Sequence, residues 1–149
     1  MKAVIQRVLS AYVAIDGNKI SSIHQGFLIF LGVEKDDVQE DLDYIFNKTV
    51  GLRIFKDAHK NMNLSIQDVG YEALVVSQFT LCANTQKGRR PSFIKAAEPN
   101  IAKKSYDQFC TKLKDVNIPV QTGCFGAMME IGLVNDGPVT ILLDSRDRR

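Results

Sequence analysis

The stretch Tyr71-Glu72-Ala73-Leu74-Val75-Val76-Ser77-Gln78-Phe79-Thr80-Leu81 decides the fold. Its centre, Ala73 to Val76, is too continuously apolar for an exposed edge, so residues 71–81 read as a strand buried on both faces. Phe27-Leu28-Ile29-Phe30-Leu31, set between two glycines, reads the same way. Working outward, residues 3–9 and 11–15 are rich in β-branched and aliphatic side chains, and Asp16-Gly17 marks a tight turn after them. Leu52 to Phe55 reads as a short strand before a polar surface loop through Asp57, Asn61 and Asn63. Residues 118–124, 127–134 and 139–143 read as three more strands separated by Gly-containing turns.

Two helices interrupt these strands. Asp36 or Asp37 can cap the first, with Glu40 three residues after Asp37 as a capping box requires. Leu42, Ile45, Phe46, Thr49 and Val50 then follow helical spacing. Glu98-Pro99 opens the second, since proline in a first turn loses no helical hydrogen bond. Ala102, Tyr106, Phe109, Cys110 and Leu113 form its core-facing stripe. Strands dominate without regular strand–helix alternation, which predicts an α+β class with a mostly antiparallel, barrel-like sheet and two main helices.

Bulk properties narrow the possibilities. At 149 residues the chain fits one domain, 1–149. A hydrophobic fraction of 45% and a charged fraction of 24% exclude disordered and fibrous classes. No apolar run approaches the roughly 18 residues that span a bilayer, and Arg7 interrupts any leader-like apolar core, so no membrane association or export is expected. Cys82, Cys110 and Cys124 are odd in number and hold no C-x-x-C pair, which favours a reducing, cytoplasmic setting over a disulfide framework. His24 and His59 lack partners at zinc-like spacing, so no metal or cofactor is expected. A net charge of +2 does not by itself indicate nucleic-acid binding, although Lys87, Arg89 and Arg90 concentrate positive charge in one loop. The tail arginines Arg146, Arg148 and Arg149 read as solvated surface.

Two segments could carry chemistry. Ser77-Gln78-Phe79-Thr80-Leu81 gathers two hydroxyls, an amide and an aromatic at a strand end. That set suits a pocket for a polar ligand, or a strand whose hydroxyls satisfy neighbouring backbone. In Asn135-Asp136-Gly137-Pro138-Val139-Thr140, Gly137 permits close backbone approach, while Pro138 has no N–H and can adopt a cis bond. The turn therefore either presents carbonyls to a ligand or bends the chain into the next strand.

Both motifs, in this order, resemble those of the D-aminoacyl-tRNA deacylase (D-tyrosyl-tRNA deacylase) family. Val4-Ile5-Gln6-Arg7-Val8, Arg90-Pro91-Ser92-Phe93 and Gly123-Cys124-Phe125-Gly126-Ala127-Met128-Met129 extend the likeness over nearly the whole chain. The resemblance implies an enzyme that hydrolyses the ester of D-aminoacyl-tRNA and releases free D-amino acid and tRNA. It further implies a homodimer with a cross-subunit active site, in which Ser77 to Leu81 of one chain face a cis Gly137-Pro138 turn of the other. Arg7 would hold the partner's turn.

Rigid backbone at the α-carbon would reject L-esters whatever their side chain. The same logic lets glycyl-tRNA, including tRNA(Ala) mischarged with glycine, be cut. Thr80 is the candidate nucleophile, yet neither histidine is near it in sequence. The preferred alternative uses the substrate's 2′-hydroxyl to activate water, with N–H groups near Phe79 and Thr80 holding the oxyanion. Gln78 would orient the ester and Phe79 shape the pocket. Phe125 and Met129 would line an adenosine pocket or pack in the core. Lys87, Arg89 and Arg90 would meet tRNA phosphates. A noncatalytic dimeric nucleic-acid-binding protein is the competing reading, and a general esterase lacks a G-x-S-x-G elbow.

Overall fold

A computed structural model describes residues 1–148. The strands are β1 (Lys2–Ile15), β2 (Asn18–Ile23), β3 (Gly26–Gly32), β4 (Glu72–Ser77), β5 (Val120–Thr122) and β6 (Glu130–Asp144). The helices are α1 (Gln39–Gly51), the one-turn α2 (Ile66–Val69) and α3 (Pro99–Asp115). One sheet runs β2-β1-β3-β4-β5, and β6 pairs with β1. Strand β2 also touches β4 and β5 at the far end of that order, so the sheet curls into a barrel-like form.

Strand β1 pairs antiparallel with β2, β3 and β6. The β3–β4 and β4–β5 pairs are parallel, a feature the strand patterns do not reveal. Parallel neighbours need a crossover, and α1 and α3 lie in those two connections.

Burial explains the continuous apolar runs. Phe27, Ile29, Leu31, Ala73 and Val75 face a core completed by Ile45, Phe109 and Leu113 of the helices. Leu28, Leu74 and Val76 face a second cluster with Val8, Val13 and Ile23 inside the curl. Period-two alternation thus sends successive side chains of β3 and β4 into two different cores. Fully burying each large side chain contributes about 1.5–3 kcal/mol.

Several boundaries differ from the sequence reading. The 71–81 strand ends at Ser77, and Phe79–Cys82 form a 3-10 turn instead. Leu52 to Phe55 makes only a single bridge, Phe55 to Leu64, because no neighbouring strand runs alongside to extend a ladder. The expected strand at 118–124 shrinks to Val120–Thr122, and 127–134 and 139–143 fuse into β6 along the full length of β1. At α1 the cap lies one residue later than expected. Asp41 accepts the Val38 N–H at 2.9 Å, whereas Asp37 is drawn to the Met1 ammonium and accepts the Glu34 N–H at 2.6 Å. The tail is not simply solvated: Arg146 pairs with buried Glu34 at 2.9 Å and Arg148 with Asp41 at 3.2 Å. Arg149 lies outside the described residues.

Candidate active site

The first motif sits where β4 runs out. The Gln78 N–H makes the last rung, to the Leu31 carbonyl at 2.8 Å, before the chain winds into the 3-10 turn. Gly32 makes that winding possible, since a Cβ there would stand 3.0 Å from both the Gln78 carbonyl oxygen and Leu81 Cβ. A 3-10 turn leaves its first amides without internal acceptors. Among the described residues, no backbone or side-chain acceptor takes the Phe79 or Thr80 N–H, whereas the later Leu81 N–H is taken by the Gln78 carbonyl. The Gln78 side-chain amide donates to the Thr80 hydroxyl.

These residues form one wall of an open cavity of about 730 Å³. Ser77, Gln78, Phe79 and Thr80 face Ala96, Ala97, Pro99, Ala102 and Tyr106 from the start of α3 and its approach. Phe125, Gly126, Ala127, Met128 and Met129 supply a further wall, and Leu31, Val33, Val76 and Ile131 line the remainder. Phe125 and Met129, for which sequence left pocket and core both open, line the cavity and also pack against the two apolar clusters. Met129 is held in place because its sulfur accepts the Cys124 N–H at 3.4 Å.

Tyr106 is the one titratable group in this lining among the described residues, which otherwise carries no carboxylate, imidazole or amine. Burial pushes its phenol far above the ordinary value, so it stays a neutral donor, bonded to the Val75 carbonyl at 2.7 Å. His24 and His59 do not line the cavity. Cys82 and Cys110 are buried, and burial raises each thiol to about 11, which leaves them unreactive.

Arg7, Gly137 and Pro138 also lie outside the cavity lining. The Gly137-Pro138 bond is cis, and the turn is exposed. Arg7 meets its own chain's turn, where the resemblance implied the partner's. Strand β1 pairs directly with β6, which sets the Arg7 guanidinium 3.0 Å from the Asp136 carboxylate. That contact is a charge pair without hydrogen-bond alignment, and Arg7 donates instead to the Ile54 carbonyl.

Lys87, Arg89 and Arg90 are exposed in a loop closed by paired Asn84–Ser92 backbone bonds of 2.8 and 2.9 Å. They do not line the cavity, but Phe93 at the loop's base packs edge-on against Phe79 with ring centroids 5.0 Å apart. The sequence reading missed the α3 wall. Its available signal was a cluster of small residues, Ala96, Ala97 and Ala102, flanking Pro99 and leaving open space beside a lone phenol.

The profile described as D-Tyr-tRNA(Tyr) deacylase matches residues 4–144. The chain is 54% identical over 146 residues to a D-aminoacyl-tRNA deacylase of Finegoldia magna, covering 98% of this chain and 99% of that one. It is 50% identical over 147 residues to one of Aquifex aeolicus, covering 99% of each. A solved structure titled "c-Myc DNA Unwinding Element Binding Protein" superposes with a TM-score of 0.91 at 39% identity, covering 97% of this chain and 98% of that one. The structure of a probable eukaryotic D-amino acid tRNA deacylase shares the fold, with a TM-score of 0.81 at 16% identity over 96% of this chain and 98% of that one.

Proposed function

Because this chain belongs to the D-Tyr-tRNA(Tyr) deacylase family and is a hydrolase of the D-aminoacyl-tRNA ester, we propose that it cuts that ester with help from the substrate's own 2′-hydroxyl. The observation that carries this reading is the chemistry of the cavity wall, which offers hydrogen-bond donors but no protein base. A Thr80 nucleophile would need an imidazole or carboxylate to take its proton. The adjacent ribose hydroxyl activates water instead. The unpaired Phe79 and Thr80 amides receive the oxyanion, where preorganised donors lower the barrier most. Thr80 and Ser77 position the ester, Gln78 orients it through its bond to Thr80, and Phe79 shapes the entrance. Phe125 and Met129 take the terminal adenosine. Lys87, Arg89 and Arg90 hold acceptor-end phosphates.

Selection against L-esters is assigned to the Gly137-Pro138 turn of a second copy. Within one chain that turn is not part of the cavity lining, which supports its delivery by a partner. Apolar residues beside it support such pairing: Val134 is 51% exposed and Leu142 70% exposed on β6. Arg7 then fixes the turn from within its own chain. Glycine has no side chain to collide with this turn, so glycyl-tRNA is cut as well. No described helix is long and apolar enough to cross a membrane, and the proposed workplace is the cytoplasm, where aminoacyl-tRNA is used.

The test compares D-tyrosyl-tRNA ending in adenosine or 2′-deoxyadenosine, using wild-type protein and Thr80→Ala. Removing the 2′-hydroxyl should slow turnover by about 10²-fold or more, the usual range for acid–base assistance. Thr80→Ala should retain activity within about tenfold. The reverse pattern makes Thr80 the nucleophile. A second reading, nucleic-acid binding without catalysis, is favoured by the 39% identical structure titled as a DNA-element binder. Retention of tRNA with no hydrolysis of either D- or L-tyrosyl ester would select it.

A further inference from the structure

We infer that Asn135 is a positioning residue that aims the Gly137-Pro138 turn, an inference that rests on the chirality-selecting role proposed for that turn. The β1–β6 ladder is interrupted here. Gln6 pairs with Thr140 and Val8 with Asn135, so residues 136–139 leave the ladder opposite Arg7 alone. A bulge of this size strands backbone carbonyls at its neck, and an unpaired carbonyl is costly unless something donates to it.

The Asn135 side chain supplies the missing donors. Its amide nitrogen donates to the Arg7 carbonyl at 2.9 Å and to the Val139 carbonyl at 2.9 Å. One bond reaches across to β1 and the other closes the far end of the bulge. Its amide oxygen accepts from the Thr140 hydroxyl at 3.4 Å, and that hydroxyl accepts from the Gln6 side chain at 3.2 Å. Both donors and the acceptor of one side chain are therefore used to staple the neck.

The consequence is directional. With its neck stapled, the turn departs from β6 at one angle, and the guanidinium of Arg7, close to Gly137, backs it. Without the staple, four residues swing on two strand ends. A filter that works by collision loses discrimination when its wall moves, while the cavity of the first motif stays intact.

The experiment measures kcat/KM of full-length protein for D- and L-tyrosyl-tRNA, with heat denaturation as a control, for wild type, Asn135→Ala, Asn135→Asp and Pro138→Gly. Asn135→Asp keeps the shape but faces two carbonyls with acceptors, so it removes the staple even where Asn135→Ala fails to fold. The D-over-L ratio is expected to fall about tenfold or more in each Asn135 variant, the scale for losing two hydrogen bonds. An unchanged ratio in both Asn135 variants, with a lowered ratio in Pro138→Gly, overturns the role of Asn135 and leaves the turn's role standing. An unchanged ratio in Pro138→Gly as well overturns the role of the turn itself.

Discussion

Removing the Tyr106 hydroxyl should cost little, and removing its ring should cost a great deal. The phenol is 4% exposed and donates to the Val75 carbonyl at 2.7 Å. That carbonyl has a second donor, the Gly123 N–H at 3.1 Å. Tyr106→Phe therefore leaves no buried acceptor unpaired, and the loss is one net hydrogen bond, about 1 kcal/mol. For a chain of this length that corresponds to a fall in Tm of about 3 °C. The ring itself touches Phe125 at a centroid distance of 5.9 Å and lines the cavity. Tyr106→Ala should cost about 3–5 kcal/mol and widen the cavity toward α3. Urea unfolding gives the two stabilities, and kcat/KM for D-tyrosyl-tRNA gives the functional effect. Tyr106→Phe should change kcat/KM by less than about fivefold, since ~1 kcal/mol corresponds to about that factor. A loss above about 3 kcal/mol in Tyr106→Phe would refute the reasoning, because it would mean that the Gly123 amide does not satisfy Val75 once the phenol is gone.

Neutralising Lys87, Arg89 and Arg90 together should weaken tRNA binding and flatten its salt dependence by about 2–3 units of log–log slope, while kcat at saturation holds. Filter binding across a salt series checks this, and an unchanged slope would make the loop a solvated turn. Acid should loosen the start of α1. Burial raises the Asp41 carboxyl, but the Val38 N–H, the Ser145 hydroxyl, the N-terminal ammonium and Arg148 outweigh it and hold the group below its ordinary value. A lowered folded value means stability that is fully present above about pH 4 and is lost as pH falls through the folded pKa. Asp41→Asn should therefore show a shallower loss of stability between about pH 4 and pH 2 than the wild type. Parallel curves would show that Asp41 is not part of the acid response.

What sequence revealed depended on how local each interaction is. The runs 27–31 and 73–76 were legible as doubly buried strands because both of their faces are apolar, and the structure gives each face its own core. The stripe of α3 was legible because one face of that helix is apolar and the other charged. The parallel pairing was hidden because it depends on where two crossovers land, which no run of residues encodes alone. Arg7 drew a role from the family resemblance alone, since Asp136 and Asn135, its contacts in the fold, lie far along the chain; Asn135 and Arg7 are 128 residues apart. Tyr106 read as one member of a core stripe. Its phenol is distinctive only because three separate segments, α3, β4 and the stretch from Gly123 to Met129, converge on it.

Strand β1 ties the cavity to the turn. Ala3 pairs with Leu31 on one edge and with Leu143 on the other, so the same backbone supports β3 and β6. The Leu31 carbonyl at the end of β3 takes the Gln78 N–H, which fixes where the 3-10 turn begins. Four residues further along β1, Arg7 and its carbonyl meet Asp136 and Asn135 at the base of the other motif. Each motif is thus held by hydrogen bonds to the central sheet, and no free loop lies between those anchors and β1. If two copies pair as proposed, the distance from one cavity to the other's turn depends on two rigid sheets and one interface. A collision filter needs that economy, because a wall that admits or rejects a single side chain must hold its position to about 0.5 Å. Substitutions along β1 that leave both motifs intact should accordingly alter discrimination between D- and L-esters before they alter the chemistry of the ester itself.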